Sequence, residues 1–202
     1  MNSVADEELM LQVRNGDSQM LGVLFDRYHA PLYNFYARLM GDRGVSEDLV
    51  QEVFLRILRY RASYQPGTPF RPWIYQIARN ARFDHYRKSP PREREAFDPE
   101  RLRAAAPPDP AQQEQEAELL HRALGELSDD KREILILARF QELKYTEIAG
   151  LLGCELNTVK TRVHRALQDL RKAFRRLEQG IGDSRGGPAA PNLSFRRADH
   201  EV

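Results

Sequence analysis

Apolar side chains in the first half of the chain recur every three or four residues, the spacing of helices that bury one face. In residues 46–60, for example, Leu49, Val53 and Ile57 fall on one stripe. No segment alternates between apolar and polar residues as a half-buried strand does, so we expect three or four packed helices here. The predicted helices span residues 6–15, about 18–35, 46–60 and 72–88.

The second half of the chain predicts a helix, a tight turn and another helix. Gly153 ends the helix predicted for residues 145–152, since glycine adopts the left-handed conformation at low cost. After a short turn, residues 158–177 place Val163 and Leu170, among others, on one apolar arc. Two helices joined in this way are typical of a helix-turn-helix, so we expect the whole protein to be all-α.

Proline separates the two halves. Six of the 12 prolines lie between residues 90 and 110, in a stretch that is rich in charge and poor in large apolar groups. We therefore expect a flexible, proline-rich linker over residues 89–117, between small helical domains at 1–88 and 118–179. Glycine and proline recur in residues 180–202, which predicts a disordered tail.

Composition excludes several classes of protein. The 202 residues carry 31 basic and 30 acidic side chains, with no apolar run near the roughly 20 residues that a membrane span needs. The first residues are acidic, unlike a secretion signal, so we expect a cytoplasmic protein without membrane insertion. One cysteine, Cys154, allows no internal disulfide, and the five histidines lack metal-ligand spacing. Because catalytic and phosphate-binding motifs are also absent, we expect no metal, no cofactor and no enzymatic activity.

Basic residues concentrate on the last predicted helix. Residues 158–176 contain seven Lys or Arg against one Asp, a local charge of +6. The second helix of a helix-turn-helix enters the major groove with its N-terminus, where Lys and Arg bind guanine edges or phosphates. The pattern therefore favours binding to duplex DNA, although a solvated basic helix in a bundle has the same composition.

Two faces of the first half carry further chemistry. On residues 72–88, aromatic rings and arginines interleave on the side opposite the apolar arc, which suits unpaired bases and phosphates or packing beneath neighbouring elements. On residues 46–60, Asp48, Gln51 and Glu52 lie three and four residues apart, forming an acidic patch that suits a basic protein partner or is simply solvated. The interleaved face comprises Tyr75, Arg79, Arg82, Phe83 and Tyr86.

Two blocks of the sequence resemble the extracytoplasmic-function group of bacterial sigma factors, the subunits that direct RNA polymerase to promoters. Residues 46–55 (SEDLVQEVFL) and 70–80 (FRPWIYQIARN) resemble region two of that family. Residues 145–149 (YTEIA) and 158–166 (TVKTRVHRA) resemble region four. The resemblance implies a region-two helical bundle and a region-four helix-turn-helix, acting with core RNA polymerase in promoter-specific initiation.

The resemblance also assigns site residues and partners. Core polymerase would bind Asp48, Gln51 and Glu52. The melted minus-ten element would be held by Phe70, Trp73, Arg79, Asn80 and Arg82. The duplex minus-thirty-five element would be read by Thr158, Lys160, Thr161, His164 and Arg165. The implied partners are core RNA polymerase, promoter DNA and an anti-sigma factor, while the residues alone leave open a stand-alone helix-turn-helix regulator or a helical adaptor.

Overall fold

Helices account for every element of the computed structural model, which describes residues 4–88 and 111–182, with side chains to residue 88 and from 117 to 179. The all-α prediction is confirmed. The first half contains α1 (Asp6–Arg14), α2 (Gln19–Met40), α3 (Arg43–Tyr60), a 3₁₀ turn (Arg61–Ser63) and α4 (Phe70–Lys88). The second half contains α5 (Ala111–Gly125), α6 (Asp129–Leu135) with a π-helical turn (Ile136–Phe140), α7 (Tyr145–Leu152) and α8 (Leu156–Gly182).

Local chemistry determines where α2 ends and α3 begins. Gly41 ends α2 in the left-handed conformation, with a φ of 67°. Asp42 then caps α3, because its carboxylate accepts the N–H of Val45 at 3.0 Å. As a result α3 begins earlier than the predicted residue 46, and α2 extends beyond the predicted residue 35.

The apolar stripes of α1 to α4 meet in one core. Phe35, Ile57 and Ile74 have no exposed surface. The hydroxyl of Tyr36 donates to the carbonyl of Ala78 at 2.8 Å, which satisfies a buried polar group and ties α2 to α4. This core supports the faces of α3 and α4 that carry the candidate site residues.

The helix-turn-helix prediction agrees with the structure. Gly153 ends α7 with a φ of 62°, and Val159 and Val163 on α8 are at most 2% exposed. Because α8 starts at Leu156, it begins slightly before the predicted 158–177 span, and it also ends later. The apolar arc of α8 faces inward and leaves the basic arc in solvent.

The start of α5 lies inside the predicted linker. Residues 111–117 of the predicted 89–117 linker belong to α5 in the structure. Their sequence, AQQEQEA, consists of good helix formers and lacks glycine and proline, which explains the difference. Similarly, α8 takes in residues 180–182 of the predicted tail. The rest of the predicted linker, 89–110, and the tail from residue 183 onward lie outside the described residues.

Arg132 joins the two halves of the chain. Its guanidinium, in a side chain that is nearly buried, donates to the carbonyls of Leu124, Gly125 and Leu127 in its own half. A further bond, at 3.0 Å, reaches the carbonyl of Leu39 in the last turn of α2. One side chain thus satisfies carbonyl groups at helix ends in both halves, where helices lack internal partners.

Gln141, which follows the π-helical turn, is the second junction between the halves. Its side-chain oxygen accepts the hydroxyl of Tyr75, and its backbone carbonyl accepts a guanidinium N–H of Arg71. Its own amide donates to the carbonyl of Pro31 at 3.4 Å. Tyr75 and Gln141 are both buried, so these polar groups find partners only because the halves pack together.

Candidate nucleic-acid interfaces

An aromatic cluster underlies the start of α4. Phe70 and Tyr64 have no exposed surface, whereas Trp73 is half-buried. The ring centroids of Tyr64 and Trp73 lie 4.9 Å apart, and those of Tyr28 and Phe70 lie 5.1 Å apart. Phe70, predicted to hold melted DNA, therefore packs only against protein in this structure, while Trp73 keeps part of its surface in solvent.

One ridge of α4 is accessible from solvent. Trp73, Gln76, Ile77 and Asn80 follow helical spacing, and each keeps exposed surface. The amide of Gln76 donates to Oδ1 of Asn80 at 3.0 Å, so the two amides lie side by side. An indole beside amide groups offers both a stacking surface and hydrogen-bonding edges for unpaired bases.

The flank of α4 that carries Arg79 and Arg82 faces the second half of the chain. Arg79 contacts the carboxylate of Glu133 at 3.1 Å and donates to the carbonyl of Leu151 at 2.8 Å. Arg82, which is only 3% exposed, pairs with Asp129 at 2.7 Å and lies 3.7 Å from Glu133. Two of the five predicted minus-ten residues are thus bound to carboxylates of α6.

Tyr75 lies on the same flank and is also buried. Its ring centroid is 5.3 Å from that of Phe35, and burial raises the pKa of its phenol. The sequence prediction that this flank faces away from the core is therefore wrong for Tyr75 and Arg82, because α6, α7 and the π-helical turn cover it. Phe83 is different: it is 51% exposed, with the guanidinium of Arg79 5.6 Å from its ring.

The predicted polymerase patch on α3 is open at two of its three residues. Asp48 and Gln51 are exposed. Glu52 instead forms an ion pair with Arg56 at 2.6 Å, and a second nitrogen of Arg56 contacts Asp84 on α4 at 2.9 Å. The charge of Glu52 is therefore partly neutralised, and Arg56 ties α3 to α4.

Leu55 extends this patch and was missed by the sequence analysis. It is 56% exposed and follows Gln51 by four residues, so the two side chains are neighbours on one face of α3. A leucine on the polar face of an amphipathic helix is the signal that could have identified it. We refer to Asp48, Gln51 and Leu55 as the α3 patch.

The predicted reading face of α8 is open to solvent. Of the five predicted residues, Thr158 is partly exposed, and the exposed ones are Lys160, Thr161, His164 and Arg165. The hydroxyl of Thr161 donates to the carbonyl of Asn157 at 2.9 Å, and the ring of His164 lies 2.9 Å from the amide of Gln168. These bonds stay within α8, and the four exposed side chains keep their surface in solvent.

The acidic residues of α6 were also missed. By their sequence pattern, Asp129 and Glu133 resemble ordinary acidic residues of a helix surface, yet the side chain of Glu133 is 6% exposed and its carboxylate contacts two arginines. The available signal was the position of Glu133 at the start of an apolar run, residues 134–137, where an acid needs a partner if it is buried.

The described residues form neither a metal-binding cluster nor a membrane-spanning helix. In residues 4–88 and 111–182, no three His, Cys, Asp or Glu side chains form a group that could hold a metal ion. In the same part of the chain, none of the helices combines the length and the apolar character that crossing a bilayer requires. The expectation that the protein uses no cofactor stays a prediction.

Comparison with known proteins identifies both halves. The family description "Sigma-70 region 2" matches residues 24–90, and "Sigma-70, region 4" matches residues 117–170. The RNA polymerase sigma factor CarQ of Myxococcus xanthus is 33% identical over 84% of this chain and 97% of its own length. The ECF RNA polymerase sigma factor SigE of Mycolicibacterium smegmatis is 37% identical over 72% of this chain and 58% of its own length.

A solved structure of a sigma factor is also similar to this chain. The sigma factor RpoE of Bartonella quintana, crystallised with the anti-sigma factor NepR, is similar with a TM-score of 0.61 and 26% identity, covering 76% of this chain and 96% of RpoE. The chain belongs to the extracytoplasmic-function group of RNA polymerase sigma factors. It is a sigma factor that binds core RNA polymerase and directs promoter-specific initiation of transcription, as the sequence resemblance predicts.

Proposed function

We propose that three surfaces of the chain divide the work of promoter recognition. The α3 patch docks on core polymerase, the exposed ridge of α4 with segment 65–69 before it holds the melted minus-ten strand, and the start of α8 reads the minus-thirty-five duplex. The observation that carries this proposal is the open basic face at the beginning of α8, directly after the Gly153 turn.

The reading face of α8 has the donors that duplex recognition needs. Lys160 and Arg165 can bind guanine edges or phosphates, and Thr161 can contact a thymine methyl group. Each well-placed base contact contributes about 1–3 kcal/mol of discrimination. Several such contacts are enough to choose one upstream element over others.

The α4 ridge supplies surfaces on which unpaired bases can stack. Unstacking a base step costs a few kcal/mol, and stacking of a base on an aromatic side chain returns about 1–3 kcal/mol. Trp73 and the exposed Phe83 offer such surfaces, and the amide of Asn80 offers base-edge hydrogen bonds. Promoter opening is then driven by binding energy, so we propose that the chain catalyses no reaction of its own.

The α3 patch suits a basic helical surface on the polymerase. Asp48 provides charge complementarity, while Gln51 and the apolar Leu55 provide contact area that loses water on docking. We also propose that Glu52 contacts the polymerase. Its contribution to binding is smaller because it is already paired with Arg56.

Capture of the minus-ten strand requires the two halves to separate. Arg79 and Arg82 are proposed to bind DNA phosphates, yet in this structure Glu133 and Asp129 occupy them. A carboxylate and a phosphate compete for the same guanidinium. We therefore propose that α6 and α7 leave α4 when the factor assembles with polymerase and DNA, and that the structure represents the closed form of the free chain.

Weakening the carboxylates of α6 is expected to open the free chain. In Glu133→Gln with Asp129→Asn, the charge-assisted bonds to the arginines are lost, so the open fraction should rise about tenfold. Energy transfer between dyes on cysteines introduced at Ser18 and Gln168, in a Cys154→Ser chain, measures the change.

The matched control for this experiment is Asp130→Asn. This acid neighbours Asp129 in sequence and is exposed. Its variant should leave the energy transfer unchanged, and both variants should transcribe normally once the holoenzyme has formed. Unchanged energy transfer in the Glu133 variant would show that these ion pairs do not hold the halves together.

Partners and location complete the proposal. NepR is bound to RpoE in the related structure, and we propose that an anti-sigma factor likewise regulates this chain. A factor that acts with polymerase on chromosomal DNA works in the cytoplasm, which we propose as its location.

Transcription from purified components tests the proposed function. Core polymerase that lacks a sigma factor should start defined transcripts on fragmented genomic DNA when this chain is added, and none without it. A stand-alone regulator would instead bind palindromic duplexes without polymerase and would start no transcript.

A further inference from the structure

Glu7, on α1, is hydrogen-bonded to a helix far along the chain. Its Oε1 atom accepts the backbone N–H of Phe70, the first residue of α4, at 2.9 Å. The first N–H groups of a helix have no partner within the helix. The preceding residue, Pro69, has no side-chain acceptor, and Glu7 supplies one to the first N–H of α4 from a distant helix.

The segment between α3 and α4 is held by hydrogen bonds on its inner side and is exposed to solvent on its outer side. The hydroxyl of Tyr64 donates to the carbonyl of Thr68, and the N–H of Thr68 donates to the carbonyl of Gln65 at 3.1 Å. Gly67 has a φ of 81°, which this turn requires. Burial and the neighbouring carboxylates, that of Glu7 included, raise the pKa of Tyr64 to about 12, so its phenol remains a donor.

The helix that carries Glu7 is anchored independently of α4. Asp6 pairs with Arg27 at 2.5 Å and accepts the hydroxyl of Tyr28, so the first turn of α1 is attached to α2. Leu9 and Met10, one turn further along, are at most 2% exposed. The carboxylate of Glu7 therefore projects from a rigid support.

We propose that Glu7 is a positioning residue for capture of the melted strand. By capping α4 it holds the exposed 65–69 segment and Trp73 in the arrangement that receives the unpaired bases. This inference rests on the proposed use of α4 to hold the minus-ten element. Because Glu7 bonds to a backbone N–H and lies on a different helix from the α3 patch, its effect belongs to strand opening and leaves the binding of core polymerase unchanged.

Three substitutions separate the hydrogen bond from the charge. Glu7→Gln keeps an acceptor oxygen at the same reach, Glu7→Asp keeps the charge but is too short, and Glu7→Ala removes both. With holoenzyme assembled from core polymerase and the full chain, strand opening is followed by 2-aminopurine fluorescence in the minus-ten element of a duplex that the wild type transcribes. We expect the wild-type opening rate for Glu7→Gln, and about fivefold slower opening for Glu7→Asp and Glu7→Ala.

The matched control is Glu8→Ala, which removes an exposed acid from the same turn of α1 and should open the duplex normally. Normal opening by Glu7→Asp with slow opening by Glu7→Gln would overturn the proposal. The charge of residue 7, and not the length of its side chain, would then determine the opening rate. Normal opening by all three variants, or loss of core binding by Glu7→Asp, would overturn it as well. Failure of the wild-type holoenzyme to open any duplex would count against the proposed function instead.

Discussion

Asp48→Ala combined with Gln51→Ala is expected to lower the affinity for core RNA polymerase by about a hundredfold. Both side chains are exposed on α3, on the same face as Leu55. Loss of two central interface contacts of about 1–2 kcal/mol each accounts for this magnitude. Titration of fluorescently labelled chain with core polymerase measures the dissociation constant directly.

The control for this variant lies on α1. Glu8→Ala with Gln12→Ala removes the same two chemical groups, at helical spacing, from another face of the bundle. Its affinity should match the wild type, and circular dichroism should show the same helix content for both variants. Wild-type affinity of the Asp48 and Gln51 variant would refute the assignment of the α3 patch.

Lys160→Ala combined with Arg165→Ala is expected to reduce transcription from promoters that depend on their upstream element by about a hundredfold. Each side chain contributes one base or phosphate contact of about 1–2 kcal/mol in the groove. Neither is needed for the fold, because both lie on the exposed arc of α8. Run-off transcription with wild-type and scrambled upstream elements measures the effect.

If α8 bound DNA through its positive charge alone, removing any two of its charges would have the same effect. A second variant tests this alternative. Arg171→Ala with Arg175→Ala removes two exposed positive charges from later turns of α8, beyond the proposed reading face. In this variant, transcription should fall only a few-fold, and the preference for the wild-type upstream element should remain. Equal losses for both variants would mean that α8 binds by its charge and reads no sequence.

The local elements were largely predictable because they depend on local chemistry. Gly153 ends α7 and Gly41 ends α2 through the same left-handed conformation, and the apolar arc of α8 is one continuous amphipathic pattern. The helix starts that differ from the predicted ones also follow from short-range signals, as the Asp42 cap of α3 does. The helix formers in residues 111–117 lie within the predicted linker because prolines come just before them, and α5 begins with these residues.

The candidate site was predictable only in part, because helical spacing identifies a face but not what covers it. Lys160 and Asp48 are exposed, as the polar faces of their helices predict. The flank with Arg79 and Arg82 has the same polar character, yet it is buried against α6. Phe70 was placed on DNA by family resemblance, whereas its ring packs in a cluster whose members lie on three different segments.

By itself, the sequence determined that the protein is helical, that it combines a region-two block with a region-four block, and that its last helix has one apolar and one basic side. Periodicity, glycine positions and short motifs carry that information over a few residues. Only the tertiary structure decided that Glu133 holds the arginines of α4 and that Glu7 caps the same helix. Those bonds join residues 54 and 63 positions apart, and no local pattern specifies which distant donor will meet a carboxylate once the cores have packed.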